Sequence, residues 1–157
     1  MVVDNHSTDG TREYLIEWEK GKSDIERKVI GLEQNLGGSG GFYKGLQMAL
    51  KKNVPWIWVS DDDAYLETDC LKKLVTYIQN HDSGKIAALC GRVETSGKID
   101  TWHRRRLEKK GGILLEKQVE EKEYEREYFA LDLFSYVGCM IKKEVIQKAG
   151  LDRKSVV

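Results

Sequence analysis

The run Val54-Pro55-Trp56-Ile57-Trp58-Val59-Ser60-Asp61-Asp62-Asp63-Ala64 constrains the fold of this chain more than any other stretch. Val54 to Val59 is apolar and rich in β-branched and aromatic residues, the texture of a strand buried on both faces in a parallel α/β sheet. It ends on three successive carboxylates, which repel one another unless a positive charge sits among them. Ligands of open α/β sheets gather outside the carboxyl ends of the strands. A hard divalent cation, Mg²⁺ or Mn²⁺, suits such a cluster because it takes carboxylate oxygens and completes its shell with water and phosphate. The plainer alternative is a solvated acidic turn ahead of a helix, since acids also suit helix N-termini.

Around this strand the pattern alternates. Val2-Val3 predicts a short strand, and Asp4 to Thr11 a polar loop in which Ser7 or Thr8 caps a helix with Tyr14, Leu15 and Trp18 facing the core. Arg27 to Leu32 reads as a second strand, Glu33 to Gly41 as a glycine-rich loop, and Phe42 to Lys52 as a helix. Glu67 to Asn80 carries Leu71, Leu74, Val75 and Ile78 on one helical face, and Ile86 to Cys90 returns to strand texture. The order βαβαβαβ with short loops predicts an α/β fold with a mainly parallel sheet and helices on both faces. Residues 92–127 form a heavily charged excursion, read as a mobile hairpin, with Arg104-Arg105-Arg106 as a solvated charge run. Tyr128 to Ile141 resumes a β pattern, and Lys143 to Ala149 is a short helix.

Composition excludes several classes of function. With 26 basic and 26 acidic residues among 157, no global field favours nucleic acid or an anionic surface. No apolar run reaches the length of a membrane span. Cys70, Cys90 and Cys139 are widely spaced and lie in apolar or helical patterns, which suits reduced core thiols in a cytoplasmic protein.

The loop Asn35-Leu36-Gly37-Gly38-Ser39-Gly40-Gly41-Phe42 lies between a strand and a helix, where glycines let backbone approach a ligand and offer amides to an anion. It is not a dinucleotide fingerprint, because Tyr43 stands where the third glycine belongs. Nor is it a phosphate-binding lysine loop, because Leu46 occupies the lysine position after Gly40 and Gly45. Asp4 and Asn5 follow a strand, where a carboxylate can bind a ribose hydroxyl or a base N–H, or merely stabilise a local turn.

Taken together, Val2-Val3-Asp4-Asn5-His6-Ser7-Thr8-Asp9-Gly10-Thr11, the glycine-rich loop and Trp56 to Ala64 resemble family 2 glycosyltransferases of the GT-A fold, in particular the galactofuranosyl- and rhamnosyltransferase branch. The resemblance extends to Ala130–Ile141, similar to the acceptor-side segment of that family. It implies a Rossmann-like GT-A domain over 1–151, with a nucleotide-sugar-binding half at 1–91 and the start of the acceptor-side half at 128–151. Asp4, Asn35, Gly38, Gly40, Gly41 and Asp62 would then bind the nucleotide-sugar donor, and Asp61 and Asp63, as the D-x-D motif, the divalent metal. The implied reaction is inverting transfer from a donor of the UDP-galactofuranose or dTDP-rhamnose type to a saccharide or lipid-linked saccharide, in polysaccharide biosynthesis. The implied location is the cytoplasm, at the inner face of the membrane for the full-length protein.

Against the family pattern, a first strand would precede Met1, and the general base and a histidine metal ligand would follow Leu151. On that reading the chain is a fragment, inactive for want of its base, with 152–157 as a candidate non-native tail. No residue present is assigned as the base: Asp132, within the acceptor-side segment, bears a carboxylate but falls inside an expected strand. Two alternatives stay open: a nucleotidyltransferase, and a non-catalytic sugar-binding module.

Overall fold

A computed structural model describes residues 1–81 and 84–151; the expected tail at 152–157 lies outside them. In chain order the elements are β1 (Val2–Asp4), α1 (Thr11–Lys20), β2 (Val29–Gly31), α2 (Gly37–Ala49), β3 (Trp56–Val59), α3 (Cys70–His81) and β4 (Ala88–Cys90). Then come β5 (Glu94–Thr95), β6 (Lys98–Ile99), β7 (Arg104–Lys110), β8 (Ile113–Gln118), β9 (Leu133–Phe134), β10 (Cys139–Lys142) and α4 (Lys143–Ala149). The chain divides into two units, one of residues 1–55 with the segment from Lys143, the other Trp56–Lys142.

In the first unit β1 and β2 pair in parallel, Val2 opposite Val29 and Asp4 opposite Gly31, with α1 as the crossover. The helix starts later than the polar loop suggests: Gly10, at φ +89°, is the cap residue, and Asp9 Oδ1 accepts the Thr11 N–H at 3.2 Å. Ser7 spends its N–H on Asp4 instead. Tyr14, expected in the core, is 69 % exposed. Trp18 is covered by the Arg27 guanidinium, 4.8 Å from its ring centre, and Arg27 also donates to the Trp18 carbonyl. Helix α4 follows a bond from the Lys143 N–H to Pro55 O and buries Ile146.

The glycine-rich stretch is not a loop up to Gly41; α2 already begins at Gly37. Glycine disfavours a helix by about 1 kcal/mol per residue relative to alanine, and here tertiary contacts override that preference. At Gly45 an added Cβ would lie 3.1 Å from Val3 Cγ2, so the missing side chain lets α2 rest closely on β1.

In the second unit the central sheet has the order β3-β10-β4. Strand β10 is antiparallel to both neighbours, with Cys139 opposite Val59 on one side and Cys90 on the other. β3 and β4 therefore run in the same direction without pairing. The expected mainly parallel sheet is corrected to mixed sheets in which β1–β2 is the parallel pair among the described residues. The reason is the apolar character of Cys139-Met140-Ile141, all three buried. A strand with no polar face takes a central place, and hydrophobicity says nothing about its direction. Beside it Ile57 and Val59 are buried, whereas Trp56 and Trp58 are only half-buried.

The charged excursion takes the form of a regular hairpin. β7 and β8 pair from Arg105 opposite Gln118 to Lys110 opposite Ile113, around Gly111 and Gly112. Both turn glycines have positive φ, +58° and +85°, as a two-residue primed hairpin turn requires. On its other edge β7 pairs with β9. Arg104, read as part of a solvated run, is 1 % exposed. Its Nη2 donates to Gly91 O at 2.7 Å and Val137 O at 2.8 Å, and its Nη1 to His103 O at 2.8 Å. A buried guanidinium survives without a carboxylate when carbonyls satisfy its fork of donors.

Candidate donor and metal site

Two strand ends carry the acidic residues singled out in the sequence. At the end of β1, Asp4 has no exposed side-chain surface. Its Oδ2 accepts from Arg12 Nε at 2.6 Å and its Oδ1 from the Ser7 N–H at 3.0 Å. Arg12 also donates through Nη2 to the Leu32 carbonyl, tying α1 to the segment after β2. Burial works to raise the Asp4 carboxyl, but the bonds from Ser7 and Arg12 outweigh it and hold the group below the usual carboxylate value. Arg12 and the Ser7 amide thus occupy the carboxylate, whose side chain has no surface exposed to solvent.

Asn5, beside it, joins β1 to the start of α2. Its Oδ1 accepts the Leu36 N–H at 2.9 Å, and its Nδ2 donates to Gly37 O at 2.9 Å and Asn35 Oδ1 at 3.0 Å. Asn35 Oδ1 in turn accepts the Gly37 N–H at 2.8 Å. This pair replaces a conventional side-chain cap on α2, whose first turn carries no acid. The glycines that follow have different local reasons. Gly40 is buried, and an alanine Cβ there would lie 2.2 Å from Leu36 Cβ. Gly38 and Gly41 face open space, with nothing within 4 Å of an added Cβ. The first amides of a helix have no intrahelical partner and favour an anion, and open glycines let one approach.

At the end of β3 the chain turns through Asp61, Asp62 and Asp63, all exposed. Burial, then Asp63, then Asp62 push the Asp61 carboxyl above its usual value, and only His103 opposes them. His103 is held by Ser135, whose Oγ is 2.7 Å from Nδ1, and by Asp100, whose Oδ2 is 3.6 Å from Nε2. Among the described residues no three His, Cys, Asp or Glu side chains converge into a metal cage. A Mg²⁺-type site that draws phosphate and water needs only one or two protein carboxylates, and the Asp61/Asp63 donor set suits that kind of site.

Asp132 is a buttress: its Oδ2 accepts the Leu107 N–H at 2.9 Å and supports β7. Sequence reasoning missed Arg12, Arg104 and the capping role of Asn5. Arg12 is the second residue of α1, on a polar segment, and nothing in its spacing from Asp4 marks it as that residue's counter-charge. Arg104 is hidden in a run of like residues, of which it alone is buried.

The sequence has counterparts among known proteins. The chain is 30 % identical over 90 residues to the galactofuranosyltransferase GlfT1 of Mycolicibacterium smegmatis, covering 57 % of this chain and 28 % of that protein. It is 34 % identical over 67 residues to the GlfT1 of Mycobacterium tuberculosis, covering 43 % of this chain and 21 % of the relative. The chain thus spans less than a third of the length of the curated relatives it matches. No solved structure matches it. Residues 1–150 match the family described as Glycosyl transferase family 2, and that span takes in β1, α2 and the acids after β3. The chain belongs to glycosyl transferase family 2.

Proposed function

We propose that this chain carries the donor-binding part of an inverting, metal-dependent glycosyltransferase that moves a sugar from a nucleotide-diphosphate donor to a saccharide acceptor. The UDP-galactofuranose donor class is favoured over the dTDP-rhamnose class by the names of the curated relatives. The observation that carries the reading is the acidic turn after β3, where three exposed carboxylates follow one another and burial, then Asp63, then Asp62 raise the Asp61 carboxyl. Asp61 and Asp63 would hold Mn²⁺ or Mg²⁺, and Asp62 would accept a hydrogen bond from a sugar or ribose hydroxyl. When bound, such a cation neutralises the diphosphate leaving group as the glycosidic bond breaks.

Residues of the first unit would hold the nucleotide. Asn35 and Asn5 fix the start of α2, so that amides of its first turn, that of Gly38 among them, would be offered to an anion, and the open space at Gly38 and Gly41 would let one approach. Gly40 keeps that first turn in place, and Asp4 acts through Arg12 and the Ser7 amide. Titration calorimetry with UDP and Mn²⁺ on the wild type and on Asp61→Ala and Asp63→Ala tests the assignment. Binding that depends on Mn²⁺ and is lost in both variants is expected, whereas equal heats from all three proteins would sink it.

A further inference from the structure

We infer that the tip of the β7–β8 hairpin is a wedge that inserts into an anionic bilayer surface. Ile113, Leu114 and Leu115 are 65 %, 63 % and 48 % exposed, and Leu107, on β7 opposite Glu116, is exposed as well. Three consecutive branched aliphatic side chains left in water at a hairpin tip are unusual for a monomeric protein unless something covers them. The register decides what kind of cover is needed. Side chains alternate across a strand, so Ile113 and Leu115 stand on one face with Lys110 and Glu108, while Leu114 and Leu107 stand on the other. A second copy pairing along the β8 edge would leave one of these faces wet. An apolar medium surrounding the tip covers both.

Charge supplies the second argument. The acids of the hairpin are already engaged, Glu108 by Lys117 at 3.1 Å and Glu116 by Arg105. Lys109 and Lys110, both exposed and placed opposite Leu114 and Ile113, have no ion-pair partner among the described residues. The tip therefore presents aliphatic side chains flanked by two uncompensated ammonium groups on long stems that can reach up to phosphates. At about 3.4 Å per residue the apolar run extends roughly 10 Å, comparable with the ~5–10 Å depth of the headgroup–acyl boundary. His103, which faces Asp61 electrostatically, immediately precedes β7. The seven-residue β7 is about 24 Å long, so with about 10 Å of the tip in lipid the base of the hairpin at His103 would stand roughly 14 Å above the bilayer. This goes beyond the donor-site reading and does not depend on it.

Co-sedimentation of the full chain with vesicles of phosphatidylcholine, alone or mixed with phosphatidylglycerol, tests the inference. Binding to the anionic vesicles is expected. It should weaken at high salt and fall at least about tenfold in Ile113→Glu/Leu114→Glu and in Lys109→Gln/Lys110→Gln. Because all four side chains are exposed, both variants should keep the wild-type circular dichroism; Ile113→Ser/Leu114→Ser provides a second, uncharged apolar deletion. No binding to anionic vesicles, or binding unchanged in every variant, would overturn the wedge. So would a wild-type dimer in sedimentation velocity that the Ile113→Ser/Leu114→Ser chain fails to form.

Discussion

Strand β1 ends on an aspartate and β3 runs out through Ser60 into three more, yet the two places solve the problem of a carboxylate in opposite ways. Asp4 is buried and supplied with a cation by its own chain, through Arg12. Asp61 to Asp63 are exposed, and at Asp61 burial and the two neighbouring acids outweigh the opposing influence of His103. A buried, paired acid stabilises the fold and is hard for a ligand to reach. An exposed, unpaired cluster contributes nothing to the fold and is open to a cation from outside. The difference separates an acid built into its unit from acids left open to solvent.

The contrast is sharpest under substitution. Asp4→Asn should lose about 2–3 kcal/mol in urea unfolding at neutral pH, since it weakens two bonds to an ionised acceptor and leaves the Arg12 charge without its partner. The folded Asp4 carboxyl lies below its usual value of 3.8. Its stabilisation is therefore full above that value and is lost as the pH falls through the lower folded value. The wild type and Asp4→Asn should converge in strong acid; a constant gap across the acid range would show that the charge is not what matters at this position.

The glycines at the start of α2 separate packing from ligand approach. Gly40→Ala forces Leu36 to move and should cost about 1–3 kcal/mol. Gly38→Ala, with open space around it, should gain about 0.5–1 kcal/mol in the same unfolding assay. If that stabilised variant binds UDP with Mn²⁺ as tightly as the wild type, close backbone approach at Gly38 has no part in donor binding.

The smallest expected change is at the exposed cluster. Asp61→Asn should alter stability by less than about 0.5 kcal/mol, in the stabilising direction at neutral pH. Burial and its neighbours raise the folded Asp61 carboxyl, so ionising it weakens the fold as the pH climbs from the unfolded value through the folded one. The advantage of Asp61→Asn should vanish below the unfolded value, as thermal melts at pH 3 and pH 7 would reveal. A marked loss of stability instead would place Asp61 with Asp4 as a structural acid and erase the contrast.

Much of this was legible in the chain itself, for stated reasons. The buried strand ending at Val59, the amphipathic α3 and the exposed acids announce themselves because hydrophobic periodicity and local charge are properties of neighbouring residues. Strand direction is not such a property, and the insertion of β10 between β3 and β4 depends on residues about 80 positions away from β3. The early start of α2 was hidden for the same reason. Glycine propensity argues for a loop, and the bonds that reverse it come from Asn5, thirty-one residues before Leu36 in the chain. Arg104 was concealed by its company, since three adjacent arginines look alike until the fold singles one out.

The central position of β10 also bears on how the molecule comes into being. During synthesis the strand that leads to the three acids leaves the ribosome long before its pairing partner, Cys139–Lys142, exists. Until then the apolar residues Trp56 to Val59 have unsatisfied backbone edges, and β4 does not substitute, since among the described residues it pairs with β10 and not with β3. Closing so long an interval is entropically slow. The sheet of the second unit should therefore assemble late and in one step, leaving a nascent chain whose acidic turn is made early but anchored last.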